Sequence, residues 1–135
     1  MIKFLLDTDI SIYTIKRKPI EVRRMFNIHS GEIGISTVTL GELIHGVEKS
    51  KHQRENLDVV EGFASRVEVI AYDTAAAYQF GQLKQELKNQ PIGPYDLMIA
   101  AHARSLGVTL ITNNTTEFKR VAGLRVENWT LTVSH

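Results

Sequence analysis

Short strand-forming segments that alternate with helical segments constrain the fold of this 135-residue chain more than any other feature. Apolar or β-branched runs typical of strands lie at about residues 2–6, 32–36, 67–72, 108–112 and 124–128. Helical patterns lie at about residues 9–17, 19–28, 40–47, 52–65, 74–89 and 95–106, and a short helix precedes the last strand. This alternation predicts an α/β sandwich with a mostly parallel central sheet flanked by helices. Because no linker or repeat interrupts the pattern, we expect a single domain over residues 1–135.

The composition excludes several classes of protein. A hydrophobic content of 43% is sufficient for a packed core, which disfavours a disordered chain. The absence of cysteine removes disulfides, thiolate zinc sites, iron–sulfur clusters and cysteine nucleophiles. The apolar runs are far shorter than the roughly 20 residues of a membrane helix, and Asp7 interrupts any apolar region of a signal peptide. We therefore expect a soluble cytoplasmic protein without a membrane partner.

Positive charge is concentrated in two short segments, although the chain as a whole is nearly neutral. Sixteen Lys and Arg residues against fifteen Asp and Glu residues give a net charge of +1. Residues 16–24 hold five cations, and residues 49–54 form a second basic cluster. Both clusters are consistent with solvated helix faces. They acquire a role in holding a polyanion if a site that handles phosphate lies nearby.

Three carboxylates stand at the places where a parallel α/β sheet positions its ligands. Asp7 ends the first strand, and Asp96 opens a buried helix after a Pro/Gly loop. Glu42 lies off the apolar stripe of its helix. In such sheets the ligand crevice lies beyond the carboxyl ends of the strands, where Asn114 also follows a strand. Each residue also has an ordinary interpretation: a helix cap for Asp7, a first-turn acid for Asp96 and an exposed glutamate for Glu42.

A cluster of these carboxylates would need a cation. Carboxylates held close together raise one another's pKa values unless a positive charge neutralises them. An all-oxygen ligand set suits Mg²⁺, with Mn²⁺ as an alternative. The corresponding chemistry is attack of a metal-activated water on a phosphodiester, and the basic clusters would then hold the substrate backbone.

Several segments, in order and over nearly the whole chain, resemble a PIN-domain ribonuclease of the VapC type, the toxin of type II toxin–antitoxin pairs. They are LLDT at residues 5–8, ISTVTLGEL at 35–43, GVEKS at 46–50, PIGPYDLMIAAHA at 91–103, TNN at 112–114 with EF at 117–118, and GLRVENW at 123–129. The resemblance implies a PIN-like α/β/α sandwich and a Mg²⁺-dependent endoribonuclease that leaves 5′-phosphate and 3′-hydroxyl ends.

The resemblance also implies a role for particular residues. By matching position, the acidic quartet of the family falls on Asp7, Glu42, Asp96 and Asn114, with Thr112 in support. The first and third positions, Asp7 and Asp96, are those expected to bind the metal directly. The implied partners are a tRNA substrate, a cognate VapB-like antitoxin that inhibits the enzyme, and a second copy of the chain in a homodimer. In the branch that looks most similar, the substrate is initiator tRNA, cut in the anticodon loop.

One departure from the family pattern leaves other interpretations open. Asp9 stands where the family usually has asparagine, so it either adds negative charge to the site or points outward without effect. The pair Asp7 and Asp9 also resembles the loop of haloacid-dehalogenase-type phosphatases, in which these residues act as nucleophile and general acid. No late acidic pair of that family follows, which disfavours a phosphatase. A non-catalytic module that binds RNA or a protein partner is the third interpretation.

Overall fold

Strands and helices alternate along the part of the chain, residues 1–131, that the computed structural model describes. The strands are β1 (Phe4–Leu6), β2 (Ile33–Ser36), β3 (Glu68–Ile70), β4 (Thr109–Ile111) and β5 (Val126–Glu127). The helices are α1 (Thr8–Lys16), α2 (Ile20–Ile28), α3 (Thr37–Glu48), α4 (Gln53–Ala64), α5 (Thr74–Glu86), α6 (Pro94–Leu106) and α7 (Thr115–Phe118). All the predicted strands and helices are present, with small shifts at their ends.

The strands form one parallel sheet with β1 at its centre. The strand order is β3-β2-β1-β4-β5, and each neighbouring pair is parallel. Phe4 pairs with Ile33 on one side and with Thr109 on the other. The prediction of an α/β fold with a mostly parallel sheet is confirmed. The consequence for function is that β1, β2 and β4 all end at the same edge.

Alternating side chains of the central strands build two separate cores. Leu5 and Leu110 pack with the apolar residues of α5 and α6 on one face of the sheet. The next residues along these strands, Leu6 and Ile111, pack with the apolar residues of α1–α4 on the other face. Helices therefore cover both faces, as buried parallel strands require. Within residues 1–131, no helix is long and apolar enough to cross a bilayer.

Arg104 ties the far end of α6 to its surroundings. Its guanidinium donates to Gln79 at 2.7 Å, to both carboxylate oxygens of Glu86 at 3.0 Å and to the Ala122 carbonyl at 3.0 Å. A two-pronged contact with a carboxylate fixes orientation as well as distance. The C-terminal end of α6 is therefore joined both to α5 and to the segment that leads into β5.

The central sheet leaves no room for a side chain at Gly34, which predicts a large effect of a small substitution. A Cβ there would lie 2.7 Å from Ile70 Cδ1 and 3.2 Å from the Glu68 carbonyl. Gly34→Ala should therefore lower the free energy of unfolding by about 1–3 kcal/mol in urea titrations. Gly81→Ala is the matched control, because a Cβ at Gly81 in α5 meets nothing within 4 Å. Gly81→Ala should raise the free energy of unfolding by about 0.5–1 kcal/mol. Equal effects of the two substitutions would contradict the close packing inferred at Gly34.

Candidate active site

Asp7 lies where β1 passes into α1, and its carboxylate is almost completely buried. Its backbone N–H donates to the Ile111 carbonyl at 3.0 Å, which continues the pairing of β1 with β4. Its side-chain Oδ1 accepts from the Ile10 N–H at 2.8 Å, so that Asp7 is the N-cap of α1. The Thr112 hydroxyl is a second hydrogen-bond partner. The helix-cap interpretation of Asp7 is therefore correct, but burial to 3% exposure is far beyond what a cap needs.

Thr8, the residue after Asp7, holds Glu42 at the same edge of the sheet through a hydrogen bond. Ser36 ends β2 and caps α3, with its hydroxyl accepting from the Val38 N–H at 3.0 Å. Glu42 lies in the second turn of α3 and is half-buried. The Thr8 hydroxyl donates to Glu42 Oε1 at 2.5 Å and lies 3.2 Å from the Thr39 hydroxyl. Because Thr8 is in the first turn of α1, this contact holds Glu42 beside the start of that helix.

Asp96 reaches the site from the opposite face of the sheet. Pro94 opens α6 after Gly93, whose extended backbone supplies no side-chain cap. Asp96 therefore lies in the first turn of α6, where unpaired N–H groups favour a negative charge. Its side chain is half-buried and faces the Gly93 backbone. The structure thus brings the three predicted carboxylates together from three separate segments of the chain.

The pKa values of two of these carboxylates are raised well above those of ordinary aspartates. Burial raises the pKa of Asp7 to about 7, against the opposing hydrogen bonds from Thr112 and Ile10. Burial also raises the pKa of Asp96 to about 6, and the negative charge of Glu117 is the next largest cause. The charge of Asp96 contributes to the raised pKa of Asp7, so the two groups share one electrostatic environment.

Asp9, the departure from the family pattern, adds to this negative field. It is exposed in the first turn of α1 and lines the cleft next to Thr8 and Glu42. Its charge raises the pKa of both Asp7 and Asp96. Of the two alternatives for Asp9, its position in the cleft lining favours the one in which it adds negative charge to the site.

Asn114 is linked to the acidic cluster through two other residues. Its backbone N–H donates to the Thr112 hydroxyl at 2.9 Å, and Thr112 is a hydrogen-bond partner of Asp7. Asn114 precedes α7, and its side-chain amide donates to Glu117 Oε2 at 2.8 Å. Glu117 Oε1 in turn accepts from the Gly93 N–H at 3.3 Å, at the start of α6. Glu117 is thus the group from this loop whose charge acts on Asp96. Sequence reasoning did not identify Glu117 as a site residue. The signal that could have found it is the spacing of three residues from Asn114, because residues spaced in this way lie on one face of a helix.

The donor atoms at this edge fit a small, hard divalent cation. The groups at this edge are carboxylates whose pKa values are raised first by burial and then by neighbouring negative charges, and a cation would offset both effects. Within residues 1–131, no group of three or more acidic or histidine side chains is arranged to hold a metal ion by itself. Mg²⁺ does not require one, because it keeps several waters and binds through one or two carboxylates together with substrate phosphate.

A cleft of about 670 Å³ opens onto the acidic edge. Its lining includes the carboxylates of Asp9 and Glu42 together with the side chains of His45, Lys49 and Tyr95. The cleft therefore carries acidic, basic and aromatic side chains on one surface. An apolar groove of about 220 Å³ adjoins it, bordered by Glu42 and lined by Ile12, Leu43 and Val60 among others.

Comparison with known proteins identifies the same arrangement elsewhere. Residues 4–124 match the PIN domain family. A protein of Shigella flexneri named tRNA(fMet)-specific endonuclease VapC is 56% identical over 131 residues, which cover 96% of this chain and 99% of that protein. Ribonuclease VapC2 of Haemophilus influenzae is 47% identical over 131 residues, with the same coverage of 96% and 99%.

Solved structures agree with the sequence comparison. A crystal structure of DNA-bound VapBC from Salmonella typhimurium superposes with a TM-score of 0.91 at 53% identity, covering 96% of this chain and 99% of that chain. VapBC2 from Rickettsia felis, bound to a DNA fragment from its promoter, superposes with a TM-score of 0.88 at 38% identity, again covering 96% and 99%. The fold implied by the resemblance is therefore confirmed.

Removal of the Asp7 charge should make the metal-free protein more stable near neutral pH. The pKa of Asp7 is about 7 in the fold and about 3.9 in an unfolded chain, so between these values the folded state binds the additional proton. The free energy of unfolding therefore falls as the pH rises from about 4 to 7. Asp7→Asn keeps the cap acceptor and removes this titration. Urea unfolding in EDTA should show the variant more stable at pH 8 by about 2–4 kcal/mol, with a difference that shrinks toward pH 4.

Asp58→Asn is the control for this experiment, since Asp58 is an exposed carboxylate on α4. That variant should follow the pH dependence of the unmodified chain. If Asp7→Asn also followed it over the whole range, the raised pKa of Asp7 would be refuted.

Proposed function

Because the chain belongs to the VapC family of PIN-domain ribonucleases, we propose that it is the toxin of a toxin–antitoxin pair and hydrolyses phosphodiester bonds of RNA at the acidic cleft. The observation that carries this proposal is the convergence of Asp7, Glu42 and Asp96 at the carboxyl ends of parallel strands. The divalent cation that we propose for the site is Mg²⁺, and Mn²⁺ has the same preference for oxygen ligands.

Each acidic residue has a distinct task in this proposal. Asp7 and Asp96 would hold the metal, since they combine burial with mutual repulsion that a cation relieves. Glu42, fixed by Thr8, borders the cleft and would orient the attacking water. Glu117 would complete the negative field on the side of Asp96, with Asn114 holding its carboxylate in place. We therefore assign the fourth position of the quartet to Glu117 and a positioning role to Asn114.

The proposed reaction is hydrolysis of the RNA backbone. Water attacks the phosphorus, the bond from phosphorus to the 3′ oxygen breaks, and the products are a 5′-phosphate and a 3′-hydroxyl. A bound divalent cation lowers the pKa of a coordinated water and offsets charge on the phosphate oxygens. Without it, the carboxylates of the acidic edge would repel an approaching phosphodiester. The side chains of His45 and Lys49 also line the cleft and would contact the same strand.

The proposed substrate is tRNA, and specifically initiator tRNA cut in its anticodon loop. Support comes from the Shigella flexneri relative, whose name specifies tRNA(fMet) and which is 56% identical over 96% of this chain. A Salmonella typhimurium protein of the same name is 53% identical over the same share. An enzyme with this substrate would act in the cytoplasm.

The proposed protein partners are a cognate VapB-like antitoxin and a second copy of the chain. Crystal structures of VapBC complexes that superpose on this chain with TM-scores of 0.91 and 0.88 support the antitoxin. The apolar groove bordered by Glu42 offers a surface from which an antitoxin segment would block the cleft.

Light scattering of the purified chain would test the homodimer. Addition of the protein encoded by a short upstream reading frame to the cleavage reaction would test inhibition.

The two other interpretations receive less support from the structure. A phosphatase of the haloacid-dehalogenase type would use Asp7 as an accessible nucleophile, whereas Asp7 is 3% exposed and one of its oxygens is held by the Ile10 N–H. A binding module without catalysis has no need for buried carboxylates with raised pKa values. RNA binding without cleavage at saturating Mn²⁺ would favour that module.

Neutralising either proposed metal ligand should abolish most of the cleavage. With a tRNA pool and Mg²⁺ or Mn²⁺, we expect discrete cuts that EDTA suppresses. Asp7→Asn and Asp96→Asn should each lower the cleavage rate by about 100- to 1,000-fold, because each removes a charge directed at the reacting centre. Glu48→Gln on the exposed side of α3 is the control and should leave the rate nearly unchanged. Full activity of either aspartate variant would reject its assignment.

The assignment of the fourth position to Glu117 can be tested against Asn114. Glu117→Gln should lower cleavage about 100-fold and move the acidic limb of the pH profile to lower pH, since the charge of Glu117 raises the pKa of Asp96. Asn114→Ala should cost about tenfold, because it removes a single hydrogen bond to Glu117. A larger loss in Asn114→Ala than in Glu117→Gln would return the fourth position to Asn114.

A further inference from the structure

A small cavity at the opposite end of α1 brings three arginines together. Its volume is about 80 Å³, and it is lined by Thr14, Arg17, Arg23, Phe26, Asn27 and Arg66. The arginines come from the end of α1, from α2 and from the turn between α4 and β3. The sequence placed Arg17 and Arg23 in one basic segment, but Arg66 joins them only through the fold. The arrangement is therefore a convergence of charge and not one solvated helix face.

The guanidinium of Arg66 is held over an aromatic ring. Its Cζ lies 5.0 Å from the centroid of the Phe26 ring, and Phe26 itself is buried in the core. A cation over the face of an aromatic ring is attracted by the ring quadrupole. The contact fixes the position of Arg66, and a guanidinium stacked on a ring face presents its N–H groups at its edge, where a ligand at the cavity could accept from them.

The backbone of Arg17 is in a conformation that is unfavourable for residues other than glycine. Arg17 ends α1 in the left-handed conformation, with φ of 60°. Glycine adopts this conformation readily, whereas a residue with a Cβ is strained in it. Arginine at this position places a guanidinium at the rim of the cavity. Glycine at position 17 would avoid the backbone strain, but it would not supply the charged group that arginine places at the cavity.

No carboxylate is among the residues that line the cavity within the described part of the chain. The three arginines are exposed, so water screens their mutual repulsion, and an anion at the cavity would offset their charge further. The other lining groups are compatible with an anion. Asn27 offers amide N–H donors, and the Thr14 hydroxyl already donates to the Ile10 carbonyl at 2.8 Å. Guanidinium groups match the oxygens of a phosphate in a two-pronged geometry.

The cavity lies one helix length from the acidic cluster. Asp7 caps the first turn of α1, and Arg17 caps the last. A helix of nine residues is about 13 Å long, so the two sites are separated by a short stretch of nucleic acid strand. Lys16, in the last turn of the same helix beside Arg17, lines the groove that Glu42 borders. One cation at the cavity end of α1 therefore also faces the groove next to the cleft.

We propose that the cavity lined by Arg17, Arg23 and Arg66 binds one phosphate group of the RNA strand whose scissile bond lies in the acidic cleft. This inference rests on the proposed ribonuclease function. The ligand chemistry is a phosphate monoanion or dianion, and the alternative source is free inorganic phosphate. Binding here sets the register of the strand without reading its sequence.

The test measures RNA binding in the Asp7→Asn background, so that no cleavage is required. Arg23→Gln should weaken binding of a tRNA pool about tenfold and reduce the slope of log affinity against log salt by about 0.7–1. Arg24→Gln is the matched control, since it removes the same charge from the neighbouring exposed residue that does not line the cavity. It should change binding and slope much less. Arg66→Lys retains the charge but loses the two-pronged donor and should resemble Arg23→Gln.

A second measurement distinguishes the two sources of phosphate. Inorganic phosphate added to the Asp7→Asn protein should perturb the NMR signals of the arginine side chains at the cavity and be displaced by tRNA. Equal losses in Arg23→Gln and Arg24→Gln would overturn the proposal in favour of diffuse attraction. Phosphate binding that tRNA does not displace would overturn the assignment to RNA. If the unmodified chain cleaves no RNA while Arg23→Gln still weakens binding, the proposed ribonuclease fails and the phosphate site stands.

Discussion

The organisation of the site depends on the burial of one carboxylate at the end of the central strand. Asp7 closes the pairing of β1 with β4 and caps α1, so it sets the direction in which that helix leaves the sheet. Burying a carboxylate is unfavourable unless the charge is compensated. The hydrogen bonds from Ile10 and Thr112 compensate only in part, since the pKa of Asp7 is still raised to about 7. The fold thus maintains a position that favours a proton or a cation.

The remaining acidic groups add negative charge around Asp7, which makes a proton or a cation at this position still more favourable. Helices on both faces of the sheet deliver Glu42 and Asp96 to the same edge, and Asp9 and Glu117 add further negative charge. Such a concentration of like charge destabilises the fold. The burial of apolar side chains in the two cores on the faces of the sheet offsets this destabilisation. Function and stability therefore oppose each other at this edge, as is common where carboxylates with raised pKa values are held together.

The alternation of strand and helix patterns was sufficient to predict the parallel sheet, because each element carries its own periodicity. The same reasoning placed Asp7 at the critical edge, since a residue that directly follows a buried strand of a parallel sheet can lie nowhere else. It did not find that the amide of Asn114 is engaged by Glu117, because that depends on side-chain geometry in a loop. Nor did it group Arg66 with Arg17, because contacts across a distance in sequence carry no local signal.

The fixation of α6 at one end has a mechanical consequence. Arg104 joins the C-terminal part of this helix to α5 and to the segment before β5, whereas the first turn is capped by Gly93 without a side-chain hydrogen bond. Asp96 stands eight residues before Arg104 on the same helix, about 12 Å along its axis. The placement of a proposed metal ligand therefore depends in part on contacts made at the far end of α6, outside the acidic edge.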